Sequence, residues 1–187
     1  YTLCYAHYTL YTIHYTLYAM LCPLCYRVIE RELYLGVGLS IMCVFIIVLL
    51  LIGDPLTSVL IALCVLSTIC GLLGCMYYWD IVIDGVAVIN LILAVGLAVD
   101  YSAHVGHTFL LIKGSREHRV IATLGTIGVA VLNGGLSTFL AIMLLSLSES
   151  YVFRIMFKQF FVTVILGLGH GLIILPVILS LIGSDHT

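Results

Sequence analysis

The chain has 187 residues, 63% of them hydrophobic and 9% charged, with a formal net charge of −2. A domain whose surface faces water carries roughly a quarter charged residues, so a soluble globular domain is excluded, and without a basic patch so is a nucleic-acid partner. The composition predicts an all-α, polytopic transmembrane bundle of about five spans.

Residues 1–25 are low in complexity. Tyr-Thr-Leu recurs at 1, 8 and 15, and Tyr falls at 1, 5, 8, 11, 15 and 18, which is helical spacing. An interfacial amphipathic helix would carry Lys or Arg on its polar face, and this segment has neither before Arg27. It is read as an artefact, a translated tandem repeat, or as disordered. Cys22 and Cys25 have a motif spacing, but no second pair completes a four-ligand zinc site. Cys43, Cys64, Cys70 and Cys75 lie in apolar runs, where a thiol acts as a small hydrophobe. The first residue is not Met and no signal peptide precedes an apolar core. The expectation is therefore an internal-to-C-terminal part of a longer protein, or an incomplete gene model. The expected domains are 1–25 as a low-complexity segment, 26–183 as the transmembrane domain and 184–187 as a tail.

After the charged group Arg27, Glu30, Arg31 and Glu32, a first span covers about 33–52. Some 20 uncharged residues at ~1.5 Å each cross a ~30 Å hydrocarbon core. Gly53-Asp54-Pro55 predicts a tight turn. A second span at about 56–78 runs into Tyr77-Tyr78-Trp79, an aromatic cluster typical of the headgroup level. A third span covers about 84–112, followed by a charged loop at 113–119 and a fourth span at about 120–147. After Ser148-Glu149-Ser150 a fifth span, about 151–182, is interrupted by Gly167, Gly169, Gly171 and Pro176. Charge leaves orientation open: Lys113, Arg116 and Arg119 on one side balance Arg27, Arg31, Arg154 and Lys158 on the other. Gly36 and Gly38, Gly71 and Gly74, Gly125 and Gly128, and Gly134-Gly135 mark places where helices can approach closely.

The third span carries the residues of most chemical interest. Asp100, His104 and His107 stand at i, i+4 and i+7 and share one helix face. A carboxylate in mid-membrane costs on the order of 2.5–3.5 kcal/mol, tolerated where it faces a partner, water or the bundle interior. Histidine titrates near ~6.5, so such a face suits passing or sensing protons. The plainer alternatives are an Asp–His pair that only holds helices together, and a His107 already at the interface. Two further polar stripes, Thr126, Asn133 and Ser137, and Gln159, Thr163 and His170, either form a polar seam with Asp100 or make interhelical hydrogen bonds worth ~0.6 kcal/mol each. Asn133 and His170 are the stronger seam candidates. There is no nucleophile elbow, phosphate loop or His-Glu-x-x-His, and Ser102 points away from the Asp100 face, so neither enzyme activity nor a cofactor is expected.

The stretch Asn90-Leu91-Ile92-Leu93-Ala94-Val95-Gly96-Leu97-Ala98-Val99-Asp100-Tyr101-Ser102-Ala103-His104 resembles the Gly-x-x-x-Asp/Glu helix of the Patched, Dispatched and Niemann-Pick type C group. That group belongs to the resistance-nodulation-division permease superfamily, and the likeness is greatest to the Patched-domain-containing proteins. The segments 132–140 (LNGGLSTFL) and 170–183 (HGLIILPVILSLIG) are similar to the group's next and closing helices, so the resemblance covers about 30–183. It implies helices eight to twelve of a twelve-helix permease built as two pseudo-repeated halves. The loop at 113–119 and the C-terminus would then be cytoplasmic and the turn at 77–80 extracytoplasmic. The first-half counterpart of these helices is the sterol-sensing domain. Residues 1–25 match nothing in the pattern, and Ser184 stands where it has Pro. By the same resemblance Gly96 is the motif glycine and Asp100 the coupling carboxylate for Na⁺ or H⁺, with His104 beside it. The implied partners are membrane lipids or sterol and the N-terminal half of the same chain, in the plasma membrane or an endomembrane. The alternatives are a sterol- or lipid-sensing receptor-type module without transport, or an inactive fragment.

Overall fold

The computed structural model describes the backbone of residues 2–183 and the side chains of residues 27–183. The readings of the Tyr stripe, of Cys22 and Cys25 and of the tail 184–187 lie outside the described side chains. Among the described residues five helical spans are long and apolar enough to cross a membrane. The first is Arg27–Ile52, within α1 (Thr2–Ile52). The second and third are α2 (Pro55–Tyr78) and α3 (Gly85–Leu111). The fourth, Arg116–Leu147, joins α4 (Arg116–Thr123), a π turn (Leu124–Gly128), α5 (Val129–Met143) and a 3₁₀ turn (Leu144–Leu147). The fifth, Tyr151–Ile182, joins α6 (Tyr151–Gly169), a π turn (His170–Ile174) and α7 (Leu175–Ile182).

Short caps set the span ends. Gly53 takes φ +72°, a left-handed conformation that glycine adopts without steric cost. Asp54 then caps α2, its carboxylate accepting from the Thr57 N–H at 2.9 Å and the Thr57 hydroxyl at 2.6 Å. Asp84 caps α3 by accepting from the Ala87 N–H at 2.8 Å. Ser115 accepts from the His118 N–H at 3.4 Å, which starts the fourth span at Arg116 rather than near 120. The charged stretch expected as loop is therefore largely the first turn of a helix. The fifth span is not broken by its glycines and proline. A π turn sits immediately ahead of α7, where Pro176 lacks an N–H and its ring would crowd the carbonyl four residues back.

α3 is the central element. Its Leu91, Ala94, Val95, Ala98, Val105 and Phe109 are buried against Ile61 and Leu72 of α2 and Leu175 and Leu179 of α7. α1 lies at the periphery, with Val48 its one buried hydrophobic among the described residues. Because lipid is as apolar as leucine, close packing and a few polar contacts hold such a bundle together. Of the glycines expected at helix contacts, Gly36, Gly71 and Gly135 lie against Ile92, Leu166 and Leu168, whereas Gly38, Gly74, Gly125 and Gly134 have open space. Gly128 faces only Leu124 of its own span. The closest backbone approach is elsewhere. Gly167 and Gly171, one turn apart, seat the fifth span on Ala98 and Tyr101 of α3.

Candidate functional site

A groove of about 480 Å³ opens between α3 and the fourth span. Leu97, Asp100, Tyr101 and His104 form one wall; Ile127 of the π turn and Val131, Gly134 and Thr138 of α5 contribute to the other. Ala130 and Gly134 are the small residues of its lining. A Cβ at Gly96 or Gly134 would meet nothing within 4 Å. Asp100 and His104 are exposed on successive turns of α3, half-way along a span whose other faces form the core. Tyr101 lies 7% exposed. Its hydroxyl is buried without a hydrogen-bond partner among the described residues, with Thr138 nearby. The Thr138 hydroxyl itself donates to the Gly134 carbonyl at 2.9 Å. The site therefore combines a carboxylate, an imidazole and an unpartnered phenol in a largely apolar groove. Such a set can bind a cation or proton at Asp100 and accept a hydroxyl-bearing apolar ligand beside it. No group of three or more His, Cys, Asp or Glu among the described residues is placed to hold a metal ion.

Over 164 residues the chain is 33% identical to NPC intracellular cholesterol transporter 1 homolog 1b of Drosophila melanogaster, covering 86% of this chain and 13% of that protein. It is 36% identical over 152 residues to the Niemann-Pick type C1-related protein of Toxoplasma gondii, covering 81% of this chain and 13% of that protein. It is 33% identical over 159 residues to protein patched homolog 3 of Caenorhabditis elegans, covering 84% of this chain and 12% of that protein. No family model matches the chain. The chain belongs to the Patched/Niemann-Pick type C family.

Family membership together with the five spans makes it an integral, multi-pass membrane protein. It spans 13% of the length of the first two relatives. Within this segment of the Patched/Niemann-Pick type C family, the residues singled out by sequence lie on three different spans and form no single cluster. Gly96, Asp100, His104 and His107 share one exposed face of α3, with His107 beyond the groove lining. Asn133 and Ser137 are exposed on α5 and do not line the groove, while Thr126 donates to its own helix at Ala122. Gln159 is 1% exposed and lies in the core, its carbonyl accepting from the Asn90 amide at 2.8 Å and its own amide donating to the Ala87 carbonyl at 3.3 Å. Thr163 donates to the Gln159 main-chain carbonyl at 2.8 Å. His170 bonds the Leu166 carbonyl through Nδ1 at 2.7 Å and the Ser67 hydroxyl through Nε2 at 2.9 Å, joining the fifth span to α2.

Tyr101 and Thr138 escaped sequence reasoning as site residues. Tyr101 follows Asp100 directly, and the quarter-turn to the core side of the helix is invisible until the fifth span is placed against it. Asn90 is 69 residues from its partner, and nothing local pairs them. The sequence places Arg119 in a charged loop, yet it is 1% exposed and closes the end of α3. Its Nε and Nη2 donate to the Phe109 carbonyl at 3.1 and 2.9 Å, and its guanidinium stacks 3.9 Å from the Phe109 ring centroid.

Proposed function

We propose that this chain is the membrane-coupling segment of a sterol- or lipid-moving permease, in which the Asp100 groove responds to a cation, Na⁺ or H⁺. One observation carries the reading: Asp100 stands exposed in the middle of the most central span, one turn from His104, at the mouth of an apolar groove. A carboxylate there is too costly to leave facing hydrocarbon, so in the working protein it meets a cation, water or another part of the assembly. Binding a proton or cation removes the charge and shifts the balance between two packings of the neighbouring spans, which gives a bistable element. Support for the cargo comes from relatives named as cholesterol transporters. By the family's architecture these spans correspond to helices eight to twelve, with the turn after α2 extracytoplasmic and Ser115 at the cytoplasmic end.

A second reading, a sterol-sensing module without transport, is favoured by the buried, unpartnered Tyr101 hydroxyl, which suits a sterol hydroxyl. Sterol flux between vesicles, measured on the full-length protein that contains this segment under imposed Na⁺ or pH gradients, separates the two. Gradient-driven flux supports the permease. Sterol binding with no flux under any gradient rejects it in favour of sensing.

A further inference from the structure

At the end of the bundle where α2 finishes and α6 begins, a second cavity of about 230 Å³ lies between the α2–α3 turn and the first two turns of α6. It is remote from the Asp100 groove and shares no residue with it. Trp79 and Asp80 form one side, and Tyr151, Arg154 and Lys158 the other. Arg154 is held in place by the preceding turn: Nε donates to the Ser148 carbonyl at 3.4 Å and Nη2 to the Glu149 carbonyl at 3.0 Å. The Lys158 ammonium stands 5.7 Å from the centroid of the Trp79 ring, within reach of a cation–π attraction.

Lys158 lies seven residues into α6, roughly 10 Å along the helix axis. An ammonium at that depth is stable only if it reaches the headgroup layer or meets an anion. Exposed Tyr77, Tyr78 and Tyr151 mark the same level, as aromatic side chains do at the membrane–water boundary. Among the described residues neither Arg154 nor Lys158 is ion-paired, and Asp80 faces the cavity without joining them. The two cations and one carboxylate around the cavity leave a single excess positive charge, which matches the single negative charge of a phosphodiester.

We propose that this cavity seats the phosphodiester of a membrane phospholipid. Arg154 and Lys158 hold the phosphate, Arg154 through the guanidinium nitrogen left free of the backbone and Lys158 as a point charge. Trp79 and Tyr151 flank the glycerol. Asp80 disfavours headgroups carrying a second negative charge. The site is independent of the sterol reading and of Asp100.

Trp79 is the one tryptophan of the 187-residue sequence, so in a chain of this sequence its emission reports on this cavity. The full chain in dodecyl maltoside micelles is titrated with dioleoyl phosphatidylglycerol, with dioleoylglycerol, which has the same acyl chains and no phosphate, and with inorganic phosphate. The expected result is a saturable change in Trp79 emission with phosphatidylglycerol only, lost at high ionic strength. In Arg154→Gln/Lys158→Gln the half-saturation concentration rises at least tenfold, while Arg154→Lys keeps most of the response. An equal response to dioleoylglycerol, or an unchanged double variant, overturns the proposal. Saturation by inorganic phosphate over the same range overturns the lipid assignment in favour of a free-phosphate site. If the double variant fails to fold, the wild-type arms and their salt dependence decide alone.

Discussion

At Gly171 an added Cβ would stand 3.0 Å from both the carbonyl carbon and the carbonyl oxygen of Tyr101, and backbone atoms of a central helix cannot step aside. At Gly169, two residues earlier on the same span, it would meet nothing within 4 Å. Gly171→Ala is therefore expected to destabilise the bundle by about 1–3 kcal/mol, the usual cost of overpacking. Gly169→Ala is expected to be neutral or slightly stabilising, because alanine is the better helix former by up to ~1 kcal/mol. Thermal unfolding of the two variants in the same detergent measures the difference; equal melting points would remove the close crossing from the account. The buried amide pair makes a second residue-scale test. Gln159→Leu strands the Asn90 amide in the core and is expected to cost about 1–3 kcal/mol, while adding Asn90→Leu recovers part of the loss. A double variant as unstable as the sum of the two singles would show that the pair is uncoupled. The sequence displayed these residues as polar or small positions on apolar helices but not their partners. Gly167 and Gly171 look like helix interruptions until Tyr101 lies beneath them, and Gln159 looks like seam material until Asn90 is brought alongside.

The existence of the spans is legible in sequence because a helix needs at least about 20 mostly apolar residues to cross the hydrocarbon core. Their ends are less so, because they depend on caps. Ser115 moves the start of the fourth span to Arg116 and takes the charged stretch into helix. This places Arg119 one turn in, where its guanidinium reaches the Phe109 carbonyl near the end of α3. That carbonyl is one of the last of its helix, short of an intrahelical donor, and a cation there also suits the helix dipole. Arg119→Leu is expected to cost about 1.5–3 kcal/mol, the value of hydrogen bonds to a charged group, and to loosen the third and fourth spans at this end. Limited trypsin digestion in detergent reads it directly, with cleavage after Lys113 accelerated in the variant. Unchanged cleavage and an unchanged melting point would mean that Arg119 does not tie these spans together. The two π turns had no warning in sequence beyond the proline after the second, since one extra residue in a single widened turn leaves the runs of apolar residues intact.

For the whole molecule, the informative feature is an asymmetry of α3. Most of its circumference is buried among α1, α2 and the fifth span, yet one stripe, from Gly96 through Asp100 and His104 to His107, is open. Periodicity alone puts Asp100, His104 and His107 on one face, and Gly96 joins them through the family resemblance, so this part of the arrangement was legible. The groove was not, because its far wall comes from Gly134 and Thr138 on a different span. Nor was the separation of Gln159 and His170 from it, because each finds its partner on a helix far away in sequence. The chain aligns with 13% of a relative named as a cholesterol transporter, and in the proposed function the open stripe is its coupling face.

The central claim rests on the Asp100 carboxylate, and the most direct measurement is gradient-driven sterol flux in the full-length protein carrying Asp100→Asn. This near-isosteric change keeps the groove's shape and removes its charge. The account expects the variant to fold, to bind sterol as before, and to lose at least tenfold of the flux driven by a Na⁺ or pH gradient. Full gradient-dependent flux in the variant would contradict it and leave Asp100 a structural residue.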